Sequence, residues 1–187
     1  TSSDGISVAP SGTEDDGFDA NNITINTHSK WDDVEIRSTL IRRSSDSDLD
    51  GGSGDDLDYT AENSMNLYQL SSKVNTGLGF YNMTFSRTEY DRDYYNGTEH
   101  DEYDSTSNTL LLTNTVVNDK WDITPGIEYE YFDGSFKNRG SYNASVDTDG
   151  ENVGYFLNGN IVASDKLTLS AGVRQDDPSA FGNYTTY

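Results

Sequence analysis

Carboxylates are the side chains through which this chain could do chemistry. It carries 33 acidic and 12 basic residues in 187, a net charge of −21. Several aspartates recur at alternate positions with glycine close by, which is what a hard cation such as calcium asks of a loop. Asp46-x-Asp48-x-Asp50-Gly51 matches the first six positions of an EF-hand loop. Its twelfth position is Leu57 instead of Glu, and no helical pattern flanks it, so an EF-hand is not expected. Histidine is scarce. His28 lies at a short turn, and His100 lies in an acidic segment with Asp101 and Asp104. A hydrolase needs such a histidine beside a placed nucleophile. No motif supplies the nucleophile, so the expectation is that the chain is not an enzyme. The negative charge argues against a nucleic-acid partner, whose phosphates require Lys and Arg. The absence of cysteine removes disulfides and thiolate metal sites. Asn-x-Ser/Thr triplets at Asn22, Asn82, Asn96 and Asn143 are what an Asn-, Ser- and Thr-rich chain produces by chance.

The elements that must position these acids read as strands. In 152–176, Leu167, Leu169, Ala171 and Val173 alternate with Thr168, Ser170, Gly172 and Arg174 across a turn from a matching arm. Successive strand side chains point to opposite faces, so each arm has one apolar and one polar face. Six further strands follow the same rule, at about 18–28, 33–43, 64–74, 78–88, 107–117 and 121–132. Two of them are irregular. Leu110, Leu111 and Leu112 leave the facing of the fifth open, and Pro125 inside the sixth cannot donate to a ladder. A ninth strand begins at Tyr184. Tight turns centre near residues 31, 76, 119 and 164, and long acidic loops are expected at 1–17, 44–63, 89–106, 133–151 and 176–182. Those five segments hold 24 of the 33 acids, which puts the charge at one end of an antiparallel meander.

The expected fold is therefore all-β: an up-and-down antiparallel meander of about eight strands plus the start of a ninth. It forms part of a transmembrane β-barrel, with residues 1–187 as one partial barrel domain. Arms of about ten residues suit a tilted strand crossing a bilayer. No run of 18 apolar residues exists, but a barrel does not need one. Thirteen tyrosines and three prolines fit the reading. Two other layouts share these features: a soluble calcium-binding β-sandwich adhesin and a small stand-alone barrel or porin. Aromatics bracketing the apolar faces and charges on the polar faces (Glu35, Arg37, Lys73, Glu128, Glu130) favour a wet lumen over a dry core.

A family resemblance is carried at three places: Glu14-Asp15-Asp16-Gly17-Phe18, Tyr103-Asp104-Ser105-Thr106, and Arg174-Gln175-Asp176-Asp177 leading into Phe181-Gly182. In that order and spacing the chain resembles the barrel of TonB-dependent outer-membrane receptors, and among them the vitamin B12 (cobalamin) receptors. The resemblance implies a location in the bacterial outer membrane, in contact with its lipid. It implies energy-dependent uptake of a small metal chelate, cobalamin or a siderophore, and coupling to TonB through a plug absent from these 187 residues. It also implies calcium held at the extracellular rim. Carried over by position, the ligands are Glu14, Asp16, Asp93 and Asp104, with Asp4 beside them.

Overall fold

A computed structural model describes residues 1–5, 15–51, 56–180 and 182–187. Among them lie β1 (Ser2–Ser3), β2 (Phe18–Trp31), β3 (Val34–Asp48), β4 (Tyr59–Thr76) and β5 (Gly79–Asn96). β6 (Glu99–Asn118), β7 (Trp121–Arg139), β8 (Ser145–Ser164), β9 (Leu167–Pro178) and β10 (Tyr184–Thr186) complete the set. All ten form one antiparallel sheet in which every strand pairs with its neighbours in sequence. The eight long strands and the short β10 are the meander expected from the alternation; the two-residue β1 is additional. The described residues form no second sheet against which this one packs, so the sandwich alternative is excluded.

Four two-residue turns, at 32–33, 77–78, 119–120 and 165–166, close one end of the sheet. Asp32 takes φ 42° in the first of them. The opposite end departs from expectation. Most of 89–106 and 133–151 is paired strand, half of 44–63 is, and 176–182 is strand as far as Pro178: connections shrink to 49–58, 140–144 and 179–183, and to Gly97–Thr98 between β5 and β6. Two thirds of the acids of the five expected loop segments, 16 of 24, do not mark loops. They sit on strand extensions, where tyrosines supply the β propensity that the charges lack and cross-strand partners offset the charges themselves. The turn places Gly97, with φ +58°, at the first of its two central positions, the glycine-first pattern of a two-residue hairpin.

Register then assigns every side chain to a face. The front face carries Val34, Ile36, Leu40, Leu70, Phe85, Tyr129, Leu167 and Leu169; the back face carries Glu35, Arg37, Lys73, Glu128 and Arg174. Leu110 and Leu112 stand in front and Leu111 behind, which resolves the ambiguous strand. Pro125 pairs with Leu157 of β8, whereas the β6–β7 ladder omits the two residue pairs between Thr113↔Gly126 and Val116↔Ile123. The missing N–H of the proline faces that gap, and the Thr115 and Thr124 hydroxyls bridge it at 3.0 Å.

Candidate functional site

Polarity inverts along the strands, and the inversion divides the sheet into two halves. In the half next to the tight turns, the front is apolar and the back is polar. Trp31 and Trp121, the two tryptophans of the chain, both stand in front beside tight turns. From Trp121 to Tyr131 the front of β7 reads Trp, Ile, Pro, Ile, Tyr, Tyr at alternate residues. Ten residue steps at a tilt near 45° rise about 24 Å, close to the roughly 25 Å apolar band of a membrane barrel.

Behind this band the largest polar group centres on Arg174. Its guanidinium donates to Asp176 at 2.7–3.0 Å and to Glu128 at 2.7 Å, and Asn152 donates to Asp176 at 2.9 Å. Asp176 is 3% exposed. Gly154 makes room for the network: a Cβ there would lie 2.4 Å from the Arg174 guanidinium. Gly126 does the same for the Phe156 ring and Gly150 for Phe132. Small residues thus alternate with large ones across the back face, which keeps bulky groups flat against the wall.

In the tip half both faces change character. The front becomes charged and cross-linked. Glu102 accepts from Lys137 and Arg139, each at 2.8 Å; Arg87 donates to Glu89 at 2.7 Å; and His100 meets Asp93 at 2.6 Å while stacking on Tyr95. The Lys137 hydrogen bond holds the Glu102 carboxyl below the ordinary carboxylate range, and Lys137 rises in return. Partial burial, then the Glu102 charge, pushes Asp104 up. Hydrogen bonds from the Ser141 hydroxyl and main-chain N–H hold Glu99 down. The back of the tip half becomes aromatic. Tyr59, Tyr94, Tyr103 and Phe136, from four consecutive strands, follow one another at centroid distances of 6.4, 6.2 and 4.7 Å. The Arg92 guanidinium lies 4.5 Å above the Tyr94 ring.

The residues read from the sequence as calcium ligands are not brought together as one set. Asp93 is in register with Glu62, Glu62 with Asp46 and Asp46 with Asp19, so the strand that follows Asp16 lies three strands from β5. Three strand spacings are about 14 Å, far beyond the 2.3–2.6 Å of calcium–oxygen contacts. Asp104 is across from Asp91, one step diagonal to Asp93. Asp4 follows β1 and is exposed. Glu14 lies outside the described residues. Among those residues, no group of three or more His, Cys, Asp or Glu side chains is arranged to hold a metal ion. The meander itself separates the two segments, because β2, β3 and β4 stand between 1–17 and β5. Tyr59, Arg92, Tyr94 and Phe136 lie on the strand extensions, where aromatic and charged residues alternate inside the expected loop segments.

A single up-and-down sheet with an apolar band outside and a polar wall behind defines a barrel-like fold. No family model and no curated protein sequence matches the chain. Among solved structures, the crystal structure of the ferric citrate transporter FecA in the unliganded form is similar, with a TM-score of 0.61 at 12% identity. The match covers 91% of this chain and 32% of that one, so the chain spans about a third of the transporter's length. At that identity the likeness is one of fold. It is a barrel-like fold of the kind that the sequence resemblance to TonB-dependent receptors implied.

Proposed function

We propose that this chain forms part of the barrel wall of a TonB-dependent receptor in the bacterial outer membrane, serving energy-dependent uptake of a small metal chelate. The observation that supports it most is the polarity inversion. The apolar front band meets lipid, the polar back of the same half lines a wet lumen, and the tip half stands above the bilayer with a charged outside and an aromatic inside. Its transport partners are TonB, reached through a plug, and the chelate itself. Following the sequence resemblance, the first ligand to test is cobalamin and the second an iron chelate.

The deciding experiment is accumulation of labelled cobalamin and of ferric chelates by cells expressing the full-length receptor, with and without the proton-motive force. Accumulation that collapses with the proton-motive force is expected. Passive solute flux with no saturable ligand binding would instead identify a porin. Calcium is a narrower proposal. It draws on Asp4 and Asp16 together with Glu14, because Asp93 and Asp104 lie on distant strands. Calorimetry should find saturable calcium binding that Asp16→Ala weakens and Asp104→Ala does not. No saturable binding at millimolar calcium in the unmodified receptor overturns it.

A further inference from the structure

We infer that a hollow across β7–β9 in the apolar front seats an acyl chain of one zwitterionic phospholipid, whose ammonium–phosphate headgroup is held by the two tight turns beside it. The inference rests on the receptor-barrel reading above and narrows general contact with lipid to a site for one lipid class. Register builds the hollow from three rows of front side chains. The row next to the turns is Trp121, Ile161 and Leu169; the second is Ile123, Gly159 and Ala171; beyond it stand Leu157 and Val173. Large residues thus flank a row containing two very small ones, and an apolar space of about 680 Å³ opens between them. That size lies within the range of ligand cavities, about 300–1,000 Å³. No neighbour in the sheet demands the glycine of the middle row. At Gly126 and Gly154 an added Cβ would collide with Phe156 and Arg174, whereas at Gly159 it would meet Asp122 and Ile123 at ordinary distances of 3.5 and 3.9 Å. A side chain would fit at residue 159, and its absence keeps the hollow open.

Charge at the turns identifies the occupant. Asp119–Lys120 joins β6 to β7 and Asp165–Lys166 joins β8 to β9, so each turn beside the hollow carries one acid and one base. The other two tight turns differ: Asp32–Asp33 carries two acids and Gly77–Leu78 no charge. All four charged residues are exposed, and no ion pair joins any of them to another described residue. The two turns stand two strand spacings apart, about 9.5 Å. The Lys120 carbonyl accepts from the Val162 N–H at 2.8 Å, which ties the first turn to the strand that leads into the second. Lysine stems are long and flexible, so both ammonium groups reach one phosphate while a carboxylate takes the lipid's own ammonium. Trp121 stands at the mouth, as an indole does at a membrane–water interface. Short turns of outer-membrane barrels are periplasmic, which assigns the lipid to the leaflet on that side. An anionic lipid would satisfy the lysines and confront two unanswered carboxylates. A hydrocarbon without a headgroup would fill the hollow and leave all four charges to water. A lipid bearing both ammonium and phosphate answers every group.

The test uses the full-length receptor in detergent, phosphatidylethanolamine and phosphatidylglycerol as probes, and native mass spectrometry to count and titrate the lipids retained. One phosphatidylethanolamine per receptor should bind about fivefold or more tighter than phosphatidylglycerol. Gly159→Phe, which fills the hollow, should abolish that retention, and Ala171→Phe should do the same. Lys120→Ala with Lys166→Ala should weaken retention of phosphatidylethanolamine about fivefold or more. Asp119→Asn with Asp165→Asn should move the preference to phosphatidylglycerol. These turn substitutions lie at exposed positions and carry the test where neither filled variant folds. Equal retention of the two lipids, or phosphatidylethanolamine retained unchanged in the filled or the turn variants, overturns the inference and leaves the receptor reading standing. A doubled mass that Gly159→Phe abolishes would show a second copy on this face, and overturns it equally. No retained lipid together with full access of aqueous iodide to Trp121 overturns both.

Discussion

At the scale of single residues, Gly126 and Phe156 occupy one space. A Cβ on residue 126 would lie 2.1 Å from the end of the Phe156 ring, so the ring lies where any other residue would put a side chain. Gly126→Ala must push the ring off its place, and overpacking of this kind costs about 1–3 kcal/mol. Thermal unfolding in detergent should show that loss, and Phe156→Leu added to Gly126→Ala should recover most of it. Absence of recovery would mean that the glycine serves its backbone and not its neighbour. Asp104 offers a second measurement, through its charge. Partial burial and Glu102 raise its pKa, so the folded state holds the proton more tightly than the unfolded chain. Its ionised form therefore works against folding at neutral pH, and that penalty disappears as pH falls below its ordinary value of 3.8. Asp104→Asn should raise the melting temperature near neutral pH, with the gain shrinking steadily on acidification. Glu102 has the opposite sign: the Lys137 bond lowers its pKa, so its contribution is present above the carboxylate range and lost below it. Glu102→Gln should accordingly lower the melting temperature at neutral pH and lose that effect in acid.

At the scale of elements, the β5–β6 hairpin shows how strand extensions replace loops. All eighteen residues of β5 pair with residues 99–116 of β6, and the strands reverse at Gly97–Thr98. Gly97 has φ +58°, where residues with a Cβ are strained. Gly97→Val should loosen the tip, and amide hydrogen exchange should quicken from Tyr94 to Tyr103 while Met83 and Leu112 stay protected. Uniform exchange across the hairpin in wild type and variant alike would mean that the tip was not ordered by this turn. The same hairpin measures how much of the fold the sequence carried. Alternation located both strands near the tight turns, where front and back differ sharply in polarity. Beyond Ser86 and Thr109 both faces carry polar or aromatic groups, so the apolar–polar signal fails although the strands continue. What holds them there is pairwise: Lys137 with Glu102, His100 with Asp93, Tyr103 with Phe136. Such partners stand seven to 35 positions apart in sequence and become visible only once register is known. The residues read as calcium ligands are spread in the same way: Asp93 and Asp104 lie on the neighbouring strands β5 and β6, three and four strands from the strand that follows Asp16.

At the scale of the whole molecule, the proposed receptor reading requires the two halves to set the height of the sheet in a bilayer, and the tryptophans test it. Trp31 ends β2 and Trp121 opens β7, each beside a tight turn and each on the apolar front. Indole rings gather at membrane–water interfaces, with an apolar body in lipid and an N–H near the headgroups. Tyr68, Tyr129 and Tyr131 take the corresponding place at the upper edge, where the front passes from Leu40 and Leu110 to Arg42 and Asn108. Both tryptophans of the chain should therefore lie at one depth, close to a single interface, although 90 residues separate them. In vesicles of brominated lipids, bromines placed near the headgroup should quench Trp31 and Trp121 alike and more strongly than bromines at the chain ends. In a Trp31→Phe, Trp121→Phe background, Phe85→Trp should reverse that order, because residue 85 stands between the two aromatic edges. Equal quenching by shallow and deep bromines, or full access of aqueous iodide to both natural tryptophans, would remove the apolar band from the bilayer, and the receptor reading with it.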